Sequence, residues 1–232
     1  MSYPIKYPTP QGANVQIFQG GDPQTTGHLF EKTWVKPQGA SFVWFTLIGA
    51  GGGNDSGGSF LVGGGSGAVT NCMVPAFLIP DSLVVIVGVG GIANANGQDT
   101  YVSYQQKTGT SYILLSANAG VSGANGGTAG VPMTPNYFSA MGVFQSTAGQ
   151  AGAPTAFPSA TTFLSGGSYN TGSATANYGY STATSGFFQM QPIIVGMGGG
   201  GSSPGRGGVG CGGGGNSGDG RGGNGMVVII SW

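Results

Sequence analysis

Short apolar or alternating runs, each closed by Gly, Pro, Asn or Asp, recur along the first half of the chain. They are Val15–Phe18, His28–Val35, Phe42–Ile48, Ser59–Val62, Ala68–Val74, Leu83–Val87, Tyr101–Tyr104 and Tyr112–Ser116. Their spacing of roughly 8–12 residues is that of an all-β sandwich or barrel. Leu83–Val87 is continuous and almost wholly β-branched, which predicts a strand buried on both faces. No segment there sustains a 3.6-residue period with caps, so long helices are not expected. Near the other end, Ile193–Val195 predicts a short strand and Met226–Trp232 a terminal one. A terminal strand this apolar has to pair centrally, because left exposed it would aggregate.

The pattern fades between about 119 and 191. Long loops are expected there, with short strands around Ala160–Leu164 and Gly186–Met190. One short helix is expected over Asn136–Met141, with Thr134 as N-cap, Pro135 at the first position and Gly142 as its stop. The chain therefore divides into an arm over 1–30, a glycine-rich β core over 31–118 and 192–232, and an uncharged Ala-, Ser-, Thr-, Gly- and Tyr-rich insertion over 119–191. The expected fold class is all-β: an antiparallel sandwich or jelly-roll-like core with ordered glycine-rich loops.

Composition sharpens this reading. Glycine contributes 51 of 232 residues, against a usual share of roughly 7%. Runs such as 49–53, 63–65 and 212–215 stand directly beside strand signals, where that many floppy links would cost much entropy. Packed, extended glycine is the favoured reading: without Cβ atoms, backbones approach closely and satisfy one another's N–H and C=O groups. Collagen is excluded, since Gly does not hold every third position.

Charge excludes more. Six Lys+Arg balance six Asp+Glu, and no charged residue lies between Lys107 and Arg206. Six scattered cations cannot form a phosphate-neutralising surface, so nucleic acid is not an expected partner. Aromatics at 10% argue against ordinary disorder. No apolar run approaches the roughly 20 residues of a membrane helix, and the start shows no signal-peptide h-region. So little charge predicts self-association, and the glycine loops are expected to offer backbone groups to neighbouring copies. A three-fold trimer is the expected closed form, by analogy with fibres and spikes.

Candidate chemistry is sparse. Gly88–Ala93 follows a strand and spells the G-x-G-x-x-G/A dinucleotide fingerprint, but what comes next is turn sequence and another strand, not the required helix. His28 is the single histidine, and no Ser–His–acid set can be assembled around it. Asp55, Asp81, Asp99 and Asp219 stand isolated in turn sequence. Cys72 and Cys211 read as free thiols, one packed and one in a loop; with one histidine they are too few for a metal site. No catalytic, cofactor-binding or metal-binding residue is assigned, and no cofactor is expected. Tyr137, Tyr169, Asn170, Tyr178 and Tyr180, in the adaptable Tyr/Asn/Ser/Gly composition of the 119–191 segment, are the candidate contact residues for a surface partner.

The order of segments resembles the glycine-rich domain of phage and viral structural proteins. The resemblance is carried by Glu31–Ala40, by Val43–Gly53, by Gly63–Ala68, by Leu83–Gly91 and by the closing glycine run and apolar strand, Gly222–Trp232. It covers about 30–120 and 192–232. It implies a non-enzymatic virion component, made in the host cytoplasm, of the tail-fibre or tail-tip kind that contributes to host attachment. The implied partners are copies of itself, other virion proteins, and a host surface glycan or receptor. A capsid, decoration or spike protein is the alternative, and a non-viral adhesive or matrix protein the second.

Overall fold

In a computed structural model of the chain, the described residues are 12–20, 30–55, 62–105, 109–122, 128, 130–134, 143–152, 177–179, 198–200, 207–214 and 220–232. Strands β1 (Asn14–Gln19), β2 (Phe30–Val35), β3 (Phe42–Ile48), β4 (Val69–Pro75), β5 (Ser82–Val87), β6 (Thr100–Gln105) and β7 (Ser111–Ala117) fall where the hydrophobic runs place them. They are followed by β8 (Val143–Thr147), β9 (Asn177–Gly179), β10 (Gly198–Gly200) and β11 (Met226–Ser231). A single 3-10 turn, Ala76–Leu78, is the one helical element among the described residues. The fold is all-β and sandwich-like, as expected.

One sheet has the order β1-β11-β3-β4-β8 and the other β2-β5-β6-β7; every pairing is antiparallel. Alternation decides which side chains meet between them. Val43, Phe45 and Leu47 of β3, Cys72 and Val74 of β4, and Val227 and Ile229 of β11 face Trp34, Leu83, Val85, Val87, Val102 and Leu115 of the other sheet. Trp34 and Phe45 lock the two layers edge to face, with ring centroids 6.1 Å apart. The Thr70 hydroxyl crosses the same gap and donates to Ser116 O at 2.7 Å. Strand β5 is buried on the core face at Leu83, Val85 and Val87, and Ile86 is buried on the opposite face.

The C-terminal strand pairs centrally, between β1 and β3. Strand β8 is a departure from the sequence reading, which had loop at this point. Val-Phe-Gln-Ser-Thr is too weakly apolar to announce itself, and its pairing with β4 holds it as an edge strand. Phe144 packs on the core and Ser146 Oγ lies 2.8 Å from Thr70 Oγ1. Of the expected strand at Ser59–Val62 only Val62 is described, and it bridges to Asp55; 59–61 lie outside the described residues. The expected helix over Asn136–Met141 and the expected strands at Ala160–Leu164, Gly186–Met190 and Ile193–Val195 lie outside the described residues.

At the end of the sandwich away from the glycine runs, Lys36 is a clamp. Its Nζ donates to Ala76 O (3.1 Å) and Ile79 O (3.0 Å) and pairs with Asp81 Oδ1 at 2.7 Å. Asp81 is thus engaged in an ion pair, not isolated in a turn as the sequence suggested. The clamp ties the β2–β3 connection, which crosses from one sheet to the other, to the turn that follows β4.

Truncating the central strand tests this core. Ile229 is fully buried between the sheets. Ile229→Ala is expected to lower unfolding free energy by about 2–5 kcal/mol, read by urea denaturation. A loss below about 1 kcal/mol would mean that β11 is not central.

Candidate functional site: a glycine lattice at one end of the sandwich

Because the paired strands are antiparallel, the C-terminal ends of β3, β5 and β7 lie at the same end as the N-terminal ends of β4, β6 and β11. Glycine-rich backbone continues from each of these ends: 49–54, 62–68, 88–92, 94–99, 118–122 and 220–225, joined by 207–214. These segments are not sheet. Each turns its successive N–H groups toward different neighbours.

The segment 49–54 shows the rule. Gly49 N–H donates to Ala68 O, Ala50 to Gln98 O and Gly51 to Gly223 O; then Gly52 donates to Gly65 O, Gly53 to Ala95 O and Asn54 to Gly220 O, all between 2.9 and 3.3 Å. The same three antiparallel neighbours recur every third residue. Its carbonyls face three others: Ala50 O accepts from Gly120 and Gly52 O from Gly213, while Gly51 O and Asn54 O accept from Gly91 and Asn94. A partner change at every residue with a period of three is the signature of extended helices with three residues per turn. Such helices have no internal hydrogen bonds, so their groups must be satisfied laterally. The segment 62–68 repeats the rule: Gly64 and Gly67 donate to Gly213 and Gly210, and Gly65 and Ala68 to Val121 and Asn118.

This packing dictates glycine. A Cβ at Gly51 would fall within 3.0 Å of backbone atoms of Cys211 and Gly212, and one at Gly53 against Ile92 and Gly91. The reason is space, not torsion. The positive-φ glycines among the described residues are Gly12, Gly39, Gly109 and Gly210, and only the last belongs to the lattice. Where the lattice lacks a backbone neighbour, side chains of Asn, Asp, Ser and Thr complete it. Ala119 N–H donates to Asp99 Oδ1 (2.7 Å), Ser122 N–H to Asn96 Oδ1 (3.0 Å) and Gln150 N–H to Ser66 Oγ (2.7 Å). Sequence reasoning read Asp99 as a turn former and passed over Asn96 and Ser66. A signal was present: isolated Asn, Asp and Ser interrupt otherwise glycine- and alanine-rich runs.

The fingerprint-like Gly88–Ala93 lies inside this lattice. Gly88 N–H donates to Thr100 Oγ1 (3.1 Å), Gly90 N–H to Asn224 Oδ1 (2.9 Å) and Gly91 N–H to Gly51 O (2.9 Å). The amides that would cradle a phosphate are bonded within the protein, and strand β6 follows instead of a helix. The expectation that the glycine loops would offer their backbone groups to other copies is also corrected. Among the described residues of 196–225, Gly210–Gly214, Gly220, Gly222, Gly223 and Gly225 are buried. Within the bundle, Gln98 Oε1 and Arg221 Nη1 are among the side-chain atoms buried without a hydrogen-bond partner.

Of the candidate contact residues, Tyr178 lies in β9, whose backbone pairs antiparallel with β10, Tyr178 opposite Gly199. Tyr137, Tyr169, Asn170 and Tyr180 lie outside the described residues, as does His28. Among the described residues, no three His, Cys, Asp or Glu side chains cluster as metal ligands, and no helix is long and apolar enough to cross a membrane. Both cysteines are buried thiols, and neither is in a disulfide. Cys211 sits in the bundle and packs on Ile48, Val69, Met226 and Val228. Burial in the sandwich core pushes the Cys72 thiol from 9.0 up to about 12.

The family model of the glycine-rich domain matches residues 24–232, nearly the whole chain. The chain belongs to the glycine-rich domain family. No curated protein matches it.

Two outcomes follow from the lattice and the core. Gly51→Ala is expected to cost at least about 3 kcal/mol, because backbone must move to admit the methyl group. Gly39→Ala, at φ +82° with nothing within 4 Å of its Cβ, should cost only about 1–2 kcal/mol of torsional strain. Thermal unfolding compares them, and equal losses would mean that close packing is not what selects glycine. For Cys72, the raised folded pKa favours the neutral thiol. Its contribution is complete below the unfolded value and is lost as pH rises toward about 12. Unfolding free energy should therefore fall above pH 9, by up to about 1.4 kcal/mol per pH unit from this group. Cys72→Val should remove that component in urea titrations at several alkaline pH values.

Proposed function

We propose that this chain is a non-enzymatic structural protein exposed on the surface of a virus particle, of the tail-fibre or tail-tip kind, contributing to host attachment. One observation carries the reading: the glycine bundle stands on one end of a sandwich and consumes its own backbone groups. Such a bundle is a rigid projection. The described residues place no nucleophile beside a base. The bundle extends the antiparallel strands without adding a conventional hydrophobic core. The uncharged 119–191 segment, with Tyr137, Tyr169, Asn170, Tyr178 and Tyr180, supplies the side chains suited to a glycan or protein receptor. Copies of the chain and other virion proteins are its partners in the particle, and no cofactor is required.

Immunogold labelling with antibodies against the chain tests this. Purified particles should be labelled at a fixed position, and the antibody should reduce adsorption to host cells. Protein found only in the soluble fraction of infected cells, with unlabelled particles, would overturn the reading. Labelling of the shell without any effect on adsorption would favour a capsid or decoration role.

A further inference from the structure

The sandwich has four strand edges, and they are not alike. The side formed by β7 and β8 is bridged by the segment 130–134. Met133 N–H donates to Ser146 Oγ (2.8 Å) and Ser116 N–H to Met133 Sδ (3.3 Å). Strand β2 carries Glu31 and Lys32, both exposed, the kind of charge that keeps an edge from pairing with another chain. Strand β1 has no such guard. Its sequence, Asn-Val-Gln-Ile-Phe-Gln, contains no charge, proline or glycine. It pairs in unbroken register with β11, and among the described residues its backbone has no partner on the other side. Val15 and Ile17 stand 36% and 50% exposed beside that edge.

The surrounding face has the same character. None of β1, β11, β3, β4 and β8 contains a charged residue. Register places Val15, Ile230, Trp44, Met73 and Val143 in one row across all five strands. Alternation turns this row outward, away from the core.

We propose that β1 is the surface at which a second copy of this chain docks. The two β1 strands pair antiparallel, edge to edge, and join the two five-stranded sheets into one continuous sheet. This rests on the reading that the chain assembles with copies of itself, and it names the surface. A neutral strand facing its own copy meets no like-charge repulsion, and antiparallel self-pairing is isologous, so a two-fold axis follows. The two-fold replaces the three-fold expected from the sequence. Both copies of Val15 and Ile17 then lie on the same outer face, next to one another.

Light scattering and sedimentation of the full chain over a wide concentration range test the proposal. The wild type should be dimeric. Ile17→Lys, which adds the missing edge charge at a half-exposed position, should raise the dimer dissociation constant at least tenfold with an unchanged circular dichroism spectrum. Phe77→Lys, at a position 82% exposed on the 3-10 turn after β4, should leave it unchanged. Hydrogen exchange on the unmutated chain gives an independent reading: amides of Asn14–Gln19 should gain protection as concentration rises. A wild type that stays monomeric would overturn both the proposal and the self-assembly it rests on. An assembly that Ile17→Lys does not weaken, with no gain of protection in Asn14–Gln19, would overturn the edge alone.

Discussion

The structure depends on lateral hydrogen bonding between backbones that have no side chains to keep them apart. An isolated glycine chain is the most costly of all to order, because it loses more conformational freedom than any other residue. A helix with three residues per turn returns nothing for that loss on its own, since it makes no internal bond. Only when neighbours stand on every side does each N–H and C=O find a partner. In the segment 49–54 every N–H is so spent, on 62–68, 95–98 and 220–223, and the carbonyls of Ala50, Gly51, Gly52 and Asn54 accept from 91–94, 120 and 213. Each net bond contributes about 1 kcal/mol, and each orphaned group would cost more. The bundle is therefore cooperative: one displaced segment strands the groups of several others.

Such a lattice cannot assemble from free coils, and the sandwich solves that problem. Strand pairing fixes where each glycine segment begins and in which direction it runs. β3 and β4 deliver 49–54 and 62–68 antiparallel, with Gly49 bonded to Ala68 next to the Ile48–Val69 strand pair. β11 delivers 220–225 beside them, and Gly225 N–H donates to Gly88 O at the mouth of β5. Apolar burial between Trp34, Phe45, Leu83 and Ile229 sets the register, and the register then brings glycine against glycine. Hydrophobic energy is spent at one end of the molecule and positions hydrogen bonds at the other.

Much of this was legible in the sequence. The strands of the sandwich rest on local alternation and β-branching, which are visible residue by residue, so Phe42–Ile48 and the central placement of the C-terminal strand could be read directly. Strand β8 could not, because Val143–Thr147 is held by β4 and by Ser146, and long-range pairing leaves no local mark. That the glycine runs are ordered was legible from their position between strands. Their lattice was not: a period of three in partners is not a period of three in residues, and interior positions need glycine whatever their neighbour. The side-chain completions by Asn96, Asp99 and Asn224 depend on which segments end up adjacent. The dinucleotide-like Gly88–Ala93 shows the reverse error, where local letters match a motif whose amides the tertiary structure has already engaged.

The scarcity of charge has a physical place in this arrangement. A charged side chain inside a lattice of this density would lose its water without gaining a counter-ion, a cost of several kcal/mol. Arg221, the one charged residue described within 207–214 and 220–225, already has Nη1 buried without a partner. Nor does the five-stranded sheet need charge on the face that Val209 and Cys211 cover, where Ile48, Val69, Met226 and Val228 are buried under the returning glycine segment. The uncharged face continues past that cover to Trp44, Met73 and Val15. Low charge thus follows from two separate constraints. The lattice excludes charge in its interior because of space and desolvation, whereas the β1 edge merely lacks it. Only the second is free to change without disturbing the fold.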